Sequence, residues 1–191
     1  MSINTWQETL LAHRGDGTAL TAAATASLLQ GATATRALYT FGANFFEVNK
    51  AIKVDSSGRI SCAVTTPGTA RFDFQFGGSI VVWDSLAINL NIVAKTNVHW
   101  YLTFELFCQA AGNGTTATLF PGICKWESEA VIASPLPTVG GSGMVTLPYN
   151  TAPAVGTGFD STVSNKADLR FTQTVATGSV TLHTHKITAM N

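Results

Sequence analysis

Charged side chains are scarce in this chain of 191 residues. Asp, Glu, Lys and Arg together make up 12% of it, about half the share that is typical of soluble globular proteins. The 11 basic residues equal the 11 acidic ones in number. The basic residues form no run, so a phosphate-binding face is not expected. We therefore expect no nucleic-acid partner.

Cysteine is also sparse, and long apolar runs are missing. Cys62, Cys108 and Cys124 lack the C-x-x-C spacing of a zinc or redox site, which favours free thiols and assembly in a reducing cytoplasm. Cys62 and Cys108 are in phase with apolar neighbours, so both are expected in the core. No stretch reaches the roughly 18 apolar residues of a membrane span, and the N-terminus lacks a signal pattern. We expect neither secretion by that route nor a membrane partner.

Catalytic and cofactor motifs are missing as well. The chain has no Gly-rich phosphate loop, no G-x-S-x-G nucleophile elbow and no H-E-x-x-H metal helix. We therefore expect a non-enzymatic protein without a cofactor. The tripeptide Arg14-Gly15-Asp16 is known from integrin ligands, but the glycines on either side of Asp16 favour an ordinary turn.

The first 17 residues are predicted to form an arm ahead of a single domain. Thr5 and Glu8 have the spacing of a capping box, which predicts a short helix over about residues 6–12. The following RGDGT breaks such a helix. We expect an N-terminal arm at residues 1–17 and one β-sandwich domain at residues 18–191.

From Thr18 onward, apolar and polar residues alternate with a period of two. In KAIKVDSSGRISCAVTT, Ile52 and Val54 share one face, and Ile60 and Cys62 repeat the pattern after SSG. This pattern predicts a hairpin with its turn at SSG.

Further strands follow along the chain. ARFDFQFGG predicts a half-buried strand, and NVHWYLTFELFCQA predicts a central one. The residues expected to face inward in these strands and in LAINLNIVAKTN are Phe72, Phe74, Phe76, Leu86, Ile88, Leu90, Ile92, Val98, Trp100, Leu102, Phe104, Leu106 and Cys108. About ten short strands predict an all-β fold, either a two-sheet antiparallel sandwich or a barrel.

The C-terminal HTH segment raises the question of a metal site. In a regular strand, His183 and His185 project to the same face, as two ligands of one metal must. A cupin-like site also needs a Glu after the pair and a further His, and the sequence supplies neither after His185. We therefore predict no metal site, and a last strand with Val180 and Leu182 facing the core and both imidazoles facing outward.

A polar face is also predicted on the strand in NVHWYLTFELF. His99 and Tyr101 lie on this face with Glu105, but six residues separate His99 from Glu105, or roughly 20 Å, too far for an acid–base pair. We interpret the face as a contact with a sister subunit. The candidate subunit-interface residues are His99, Tyr101, His183 and His185.

Several blocks of the chain, in their order, resemble small structural proteins of tailed bacteriophages. They are TALTAAATASLLQG, NFFEVNKAIKVDSSGRISCAVTTPGTARFDFQFG, TNVHWYLTFELFCQAAGNGTTATLF with WESEAVI, and GFDSTVSNKADLRFTQTV. The resemblance covers nearly everything from about Thr18 onward. It implies a virion protein of the capsid decoration or minor capsid type, with a jelly-roll-like antiparallel β-sandwich and no catalytic residues.

The resemblance implies a set of partners. We expect a homotrimer on the capsid surface, assembled in the bacterial host cytoplasm and bound to the major capsid protein of the same phage. Trp6, Leu10 and Leu11 of the arm are candidate anchors on the shell. The alternative is a tail or surface tip protein that binds host glycans through the loops between residues 134 and 160, with Tyr149 and Phe159 as stacking platforms.

Overall fold

The computed structural model describes residues 6–29, 38–63, 66–131, 143–148 and 151–190. Within these ranges the chain forms 13 β-strands and no helix, so no described helix could cross a membrane. The strands are β1 (Gln7–Arg14), β2 (Thr25–Ser27), β3 (Tyr39–Phe41), β4 (Ala51–Cys62), β5 (Thr69–Phe76), β6 (Ile80–Asp84), β7 (Ile88–Asn89), β8 (Lys95–Ala110), β9 (Ala117–Ser128), β10 (Gly143–Thr146), β11 (Gly156–Phe159), β12 (Asn165–Gln173) and β13 (Ser179–Met190).

The strands form two antiparallel sheets packed as a sandwich, which confirms the predicted fold class. The first sheet has seven strands in the order β1-β13-β4-β8-β9-β10, with β11 also pairing with β9. The second has six strands in the order β2-β12-β5-β6, with β3 on β12 and β7 on β5. Every strand pairing is antiparallel.

The chain passes repeatedly from one sheet to the other. After β1 it moves to the second sheet for β2 and β3, returns for β4, crosses again for β5 to β7, and returns for β8. The final two strands, β12 and β13, insert between earlier strands of the two sheets. We interpret this order as jelly-roll-like, two interleaved Greek keys with β9, β10 and β11 added to the first sheet.

Aromatic side chains fill the space between the sheets. Phe72 of β5 lies at the centre, with its ring centroid 5.0 Å from that of Phe171 on the neighbouring strand. Across the sandwich, the Phe72 centroid lies 5.6 Å from that of Trp100 and 5.5 Å from that of Trp126. These edge and tilted contacts between large buried rings join the two sheets.

The hairpin predicted within residues 51–62 is wrong, because this segment is the single strand β4. Inward and outward positions alternate without a break through the SSG segment, and Ser56 and Gly58 are two of the inward ones. A Cβ atom on Gly58 would lie 1.9 Å from the carbonyl oxygen of Thr181 and 2.9 Å from the indole nitrogen of Trp100. The glycine is present because two neighbouring strands approach closely, and the backbone does not turn there.

The short helix predicted for residues 6–12 is also wrong. Residues 7–14 form β1, which pairs antiparallel with β13 from Gln7 opposite Met190 to Arg14 opposite Thr184. A capping box contributes about 1 kcal/mol to a helix, and helices this short are marginal alone. The free edge of β13 instead supplies a backbone partner along the whole segment.

The strand predicted in LAINLNIVAKTN is shorter than expected. Ile88 and Leu90 are buried as predicted, whereas Leu86 and Ile92 are exposed. Leu86 has a backbone φ of 58°, which a β-strand does not accommodate. Before β8 begins at Lys95, regular pairing is limited to β7, opposite the start of β5, with an isolated bridge between Leu90 and Val131.

We expect Gly58→Ala to lower the free energy of unfolding by at least about 3 kcal/mol, because the added methyl group meets a backbone carbonyl that cannot move without breaking the sheet. Urea unfolding followed by tryptophan fluorescence measures this change. Gly42→Ala is the matched control, because no atom lies within 4 Å of its added Cβ. Equal stabilities of the two variants would contradict the close approach.

Candidate functional site

A β-bulge separates the two histidines of the HTH segment. The pairing of β13 with β4 shifts between Leu182 and Thr184, so His183 is the extra residue. Val180 and Leu182 are buried before the bulge, as predicted, and the buried phase continues after it with His185. The two imidazoles therefore do not share a face, and the predicted outward orientation of His185 is wrong. A bulge reverses the alternation, and the sequence shows no turn residue that marks it.

His185 instead belongs to a small polar cluster inside the sandwich. Its Nδ1 lies 2.8 Å from the hydroxyl oxygen of Ser56 on β4. On the other side it is directly opposite His13 of β1, and both imidazoles are buried. Neither Nε2 atom has a hydrogen-bond partner in the described part of the chain. Burial, with a smaller effect of His13, lowers the pKa of His185 to about 3.

His183 lies on β13 beside the Arg14-Gly15-Asp16 segment. Its Nε2 is 3.5 Å from one carboxylate oxygen of Asp16, and the other oxygen of Asp16 is 3.2 Å from the guanidinium of Arg59. The Gly15 amide donates a hydrogen bond of 2.9 Å to the carbonyl of His183. The Arg14-Gly15-Asp16 segment is thus fixed along β13, and its carboxylate contacts two basic groups of the same chain.

His99 and Tyr101 lie on the outer face of the first sheet, where the alternation of β8 places them. The Tyr101 hydroxyl donates a 2.6 Å hydrogen bond to Asp55, and the Thr103 hydroxyl donates one of 2.8 Å to the same oxygen. Lys53 is 3.5 Å from that oxygen. Burial and the bond to Asp55 raise the pKa of Tyr101 to about 12. Asp55 therefore holds the Tyr101 ring in a fixed position on this face.

The four predicted interface residues are thus not brought together on one surface. His99 and Tyr101 are on the outer face, His183 lies beside Asp16, and the side chain of His185 is in the interior. The outer face has a shallow hollow of about 370 Å³ beside Tyr101. Its polar lining includes Arg14, Asp55, Ser57, His99, Thr184 and Lys186, and the buried residues His13 and His185 also border it.

An apolar patch lies on the same outer face, and the sequence reasoning missed it. It consists of Phe107 of β8 with Phe120 and Ile123 of β9, which are 40%, 42% and 58% exposed. Phe107 is directly opposite Phe120, and a Cβ on Gly122 would lie 2.5 Å from the Phe107 ring. The ring therefore packs on the bare backbone of Gly122. The available signal was the phase of Phe107, which falls with the polar residues of β8 and not with its buried ones.

The candidate anchor residues have different environments. Trp6 is 47% exposed just before β1. Leu10 and Leu11 lie within β1, are half-buried and pack against the core. They therefore do not project from a separate arm.

The candidate loop aromatics, Phe159 and Tyr149, do not form a stacking platform in the part of the chain that the structure describes. Phe159 is fully buried, with ring centroids 5.4 Å from Phe46 and 5.2 Å from Phe76. The prediction that it stacks on a ligand is wrong, because its side chain fills the core. Tyr149 lies outside the described residues.

A buried polar network covers part of the second sheet, on the face that the alternation of β5 assigns to polar residues. Gln75 donates a hydrogen bond to Asp73, and Arg170 donates one of 3.3 Å to Gln75. Ser27 donates one to Asp168. Burial raises the pKa of both carboxyl groups, although these hydrogen bonds act in the opposite direction. The contacts tie β2, β5 and β12 together.

The described ranges contain no cluster of metal ligands and no exposed thiol. No three His, Cys, Asp or Glu side chains there lie close enough together to hold a metal ion. Cys62, Cys108 and Cys124 are buried free thiols, which confirms the core positions predicted for the first two. Burial raises the pKa of each thiol, and that of Cys124 to about 11.

Comparison of the chain with protein-family models, with curated proteins and with solved structures found no match. The function is therefore inferred from the fold, from the geometry of its surfaces and from the resemblance of the sequence to phage structural proteins.

We expect His185 to make the protein less stable in mild acid. Its pKa in the folded state is about 3, below the roughly 6.5 of an unfolded chain, so the unfolded state binds a proton that the folded state does not. Its contribution is intact above about pH 6.5 and is lost at roughly 1.4 kcal/mol per pH unit as the pH falls towards 3.

Urea unfolding at pH 7 and pH 5 measures this effect as a difference between wild type and His185→Gln. The variant should lose about 2 kcal/mol less than wild type over that interval. His99→Gln is the control and should behave as wild type, because His99 is exposed. An identical pH dependence in wild type and His185→Gln would contradict the buried neutral state.

Proposed function

We propose that this chain is a non-enzymatic structural protein of a tailed-phage particle. In this proposal it is an oligomeric capsid decoration, or cement, protein that binds the major capsid protein and stabilises the head shell. The observation that carries the proposal is the apolar patch of Phe107, Phe120 and Ile123 on a flat sheet face. The resemblance of the sequence to phage structural proteins supplies the kind of particle.

The patch has the features of a protein contact. Exposed apolar groups that lie together mark interaction sites more often than isolated ones do, and aromatic residues supply much of the binding energy at such sites. The Phe107 ring packs on Gly122 before any partner arrives, so little conformational entropy is lost on binding. A patch on paired interior strands is also more rigid than one on a loop.

Asp55, on the rest of the outer face, would not oppose burial by a partner. Asp55 is already satisfied by Tyr101, Thr103 and Lys53. A partner that covers this face therefore does not leave that carboxylate buried without donors, which would be costly. Each copy would bury on the order of 1,000 Å² on the shell, and repetition over the lattice would multiply weak contacts.

A homotrimer remains part of the proposal, because it matches the three-fold positions of a shell. The alternative, a tail or surface tip protein that binds host glycans, has lost Phe159 as a stacking residue. Microscopy of the assembled particle distinguishes the two. Many copies over the head support decoration, whereas a few copies at the tail tip support adhesion.

Phe107→Ser combined with Phe120→Ser should weaken binding to undecorated capsids at least about tenfold, since two aromatic contacts at an interface typically contribute more than 1.4 kcal/mol. Co-sedimentation with capsids measures the affinity. Val163→Ser is the matched control, because Val163 is 50% exposed but lies in the loop before β12. Equal binding by the double variant and the control would refute the patch as the shell contact.

Trp6 tests the N-terminal anchor separately. Deletion of residues 1–17 would remove β1 and disturb the sheet, so Trp6→Ala is the cleaner change. We expect a several-fold loss of capsid binding with a smaller loss of stability than a change within β1 would cause, because Trp6 is 47% exposed and precedes the strand. Leu11→Ala, which lies in β1, should instead lower stability. Unchanged binding by Trp6→Ala would exclude this residue as an anchor.

A further inference from the structure

The first strand is attached to the sandwich along one edge only. β1 is the terminal strand of its sheet and pairs with β13 alone. Most of its side chains are exposed, Leu10 and Leu11 are half-buried, and His13 is its one buried side chain in the described structure. The attachment of β1 thus depends on backbone pairing, two partly covered leucines and one imidazole.

That imidazole faces a second one. His13 is the cross-strand neighbour of His185, and both Nε2 atoms lack a hydrogen-bond partner in the described chain. His185 is held from the other side by Ser56. Two neutral imidazoles can occupy such a site, but a protonated one would be an unpaired buried charge next to its neighbour.

No carboxylate is placed to compensate such a charge among the described residues that act on His185. His13 is the one titratable group that contributes to its electrostatics. The charged residues beside the pair on the three strands are Arg14, Lys186 and Asp55, and they line the hollow on the outer face. Asp55 there is already bonded to Tyr101.

We propose that the His13–His185 pair is an acid-operated latch, in which protonation of the pair releases β1 from β13 while the rest of the sandwich stays folded. This regulation concerns the attachment of β1 and does not rest on the proposed role in a phage particle. Release gives His13 access to water at once and leaves His185 on an exposed sheet edge, where it accepts a proton.

Opening is confined to β1 because the chain beyond it is fixed separately. The amides of Gly15 and Gly17 donate 2.9 Å hydrogen bonds to the carbonyls of His183 and Leu182. Asp16 also contacts His183 and Arg59. Acid therefore loosens residues 7–14, whereas these contacts hold the segment that follows, so the hinge lies near residue 15.

Release would uncover the edge of β13, with its row of backbone donors and acceptors. A bare sheet edge pairs readily with another strand. The strand that fits this edge is another copy of β1, and such an exchange would link two copies of the chain.

Hydrogen exchange with mass spectrometry at pH 7 and pH 5, corrected for intrinsic exchange rates, tests the latch. The protection factors of residues 8–14 should fall roughly 20-fold between these values, as expected when a group with an ordinary histidine pKa in the open state stays neutral in the closed one. At each pH the protection factors of β8, which is an interior strand, should be far higher than those of β1, because β1 opens without global unfolding.

Three variants test whether the His13–His185 pair causes the pH dependence of β1 protection. His13→Gln and His185→Gln should each reduce the pH dependence of β1 protection, whereas His99→Gln should retain it. Where a variant folds poorly, NMR titration of the wild-type imidazoles replaces it, and the signals of His13 and His185 should change together with those of the β1 amides. The latch is refuted if β1 protection is the same at both pH values, or if β1 and β8 have equal protection factors, as they would when β1 opens only by global unfolding. Retention of the full pH dependence in His13→Gln also refutes it.

Discussion

The close approach of β13 to β4 at Gly58 is the constraint on which the first sheet depends. The Thr181 carbonyl lies where a side chain at Gly58 would be, and the indole nitrogen of Trp100 donates a 3.2 Å hydrogen bond to the carbonyl of Arg59 beside it. The pairing of β13 slips by one residue at this level, between Leu182 and Thr184. Gly58 leaves room for the close contact between the strands, and the extra residue of the bulge accommodates the shift in their pairing.

The bulge has consequences for both faces of the sheet. On the inner side it turns His185 towards Ser56 and His13, and the core therefore contains a polar cluster with two unpartnered nitrogen atoms. Such groups typically cost about 1–3 kcal/mol each. On the outer side the bulge places His183 within reach of Asp16, which fixes the chain that leaves β1. The same irregularity thus weakens the attachment of β1 and strengthens that of the following residues.

The sequence was informative wherever alternation was regular. Phe72, Phe74, Phe76 and the inward residues of β8 follow the period of two, and the all-β sandwich follows from them. The errors came from signals that tertiary contacts override. SSG resembles a turn, yet Ser56 and Gly58 are small because His185 and Trp100 need the space. Bulges are invisible to a periodicity argument, since they depend on how two distant strands fit, and so the orientation of His185 could not be derived.

The same reasoning indicates which surface features bear on function. Polar residues that attract attention in the sequence have partners within the chain: Asp16 contacts Arg59, and Asp55 accepts bonds from Tyr101 and Thr103. Internal partners explain these residues without a ligand. Phe107 differs, because it occupies a polar phase of β8, and the described contact of its ring is with the backbone of Gly122. Phe107 is still 40% exposed, and that part of its apolar surface gains nothing from folding alone. Its exposure is the reason why the proposed function rests on the apolar patch and not on the histidines.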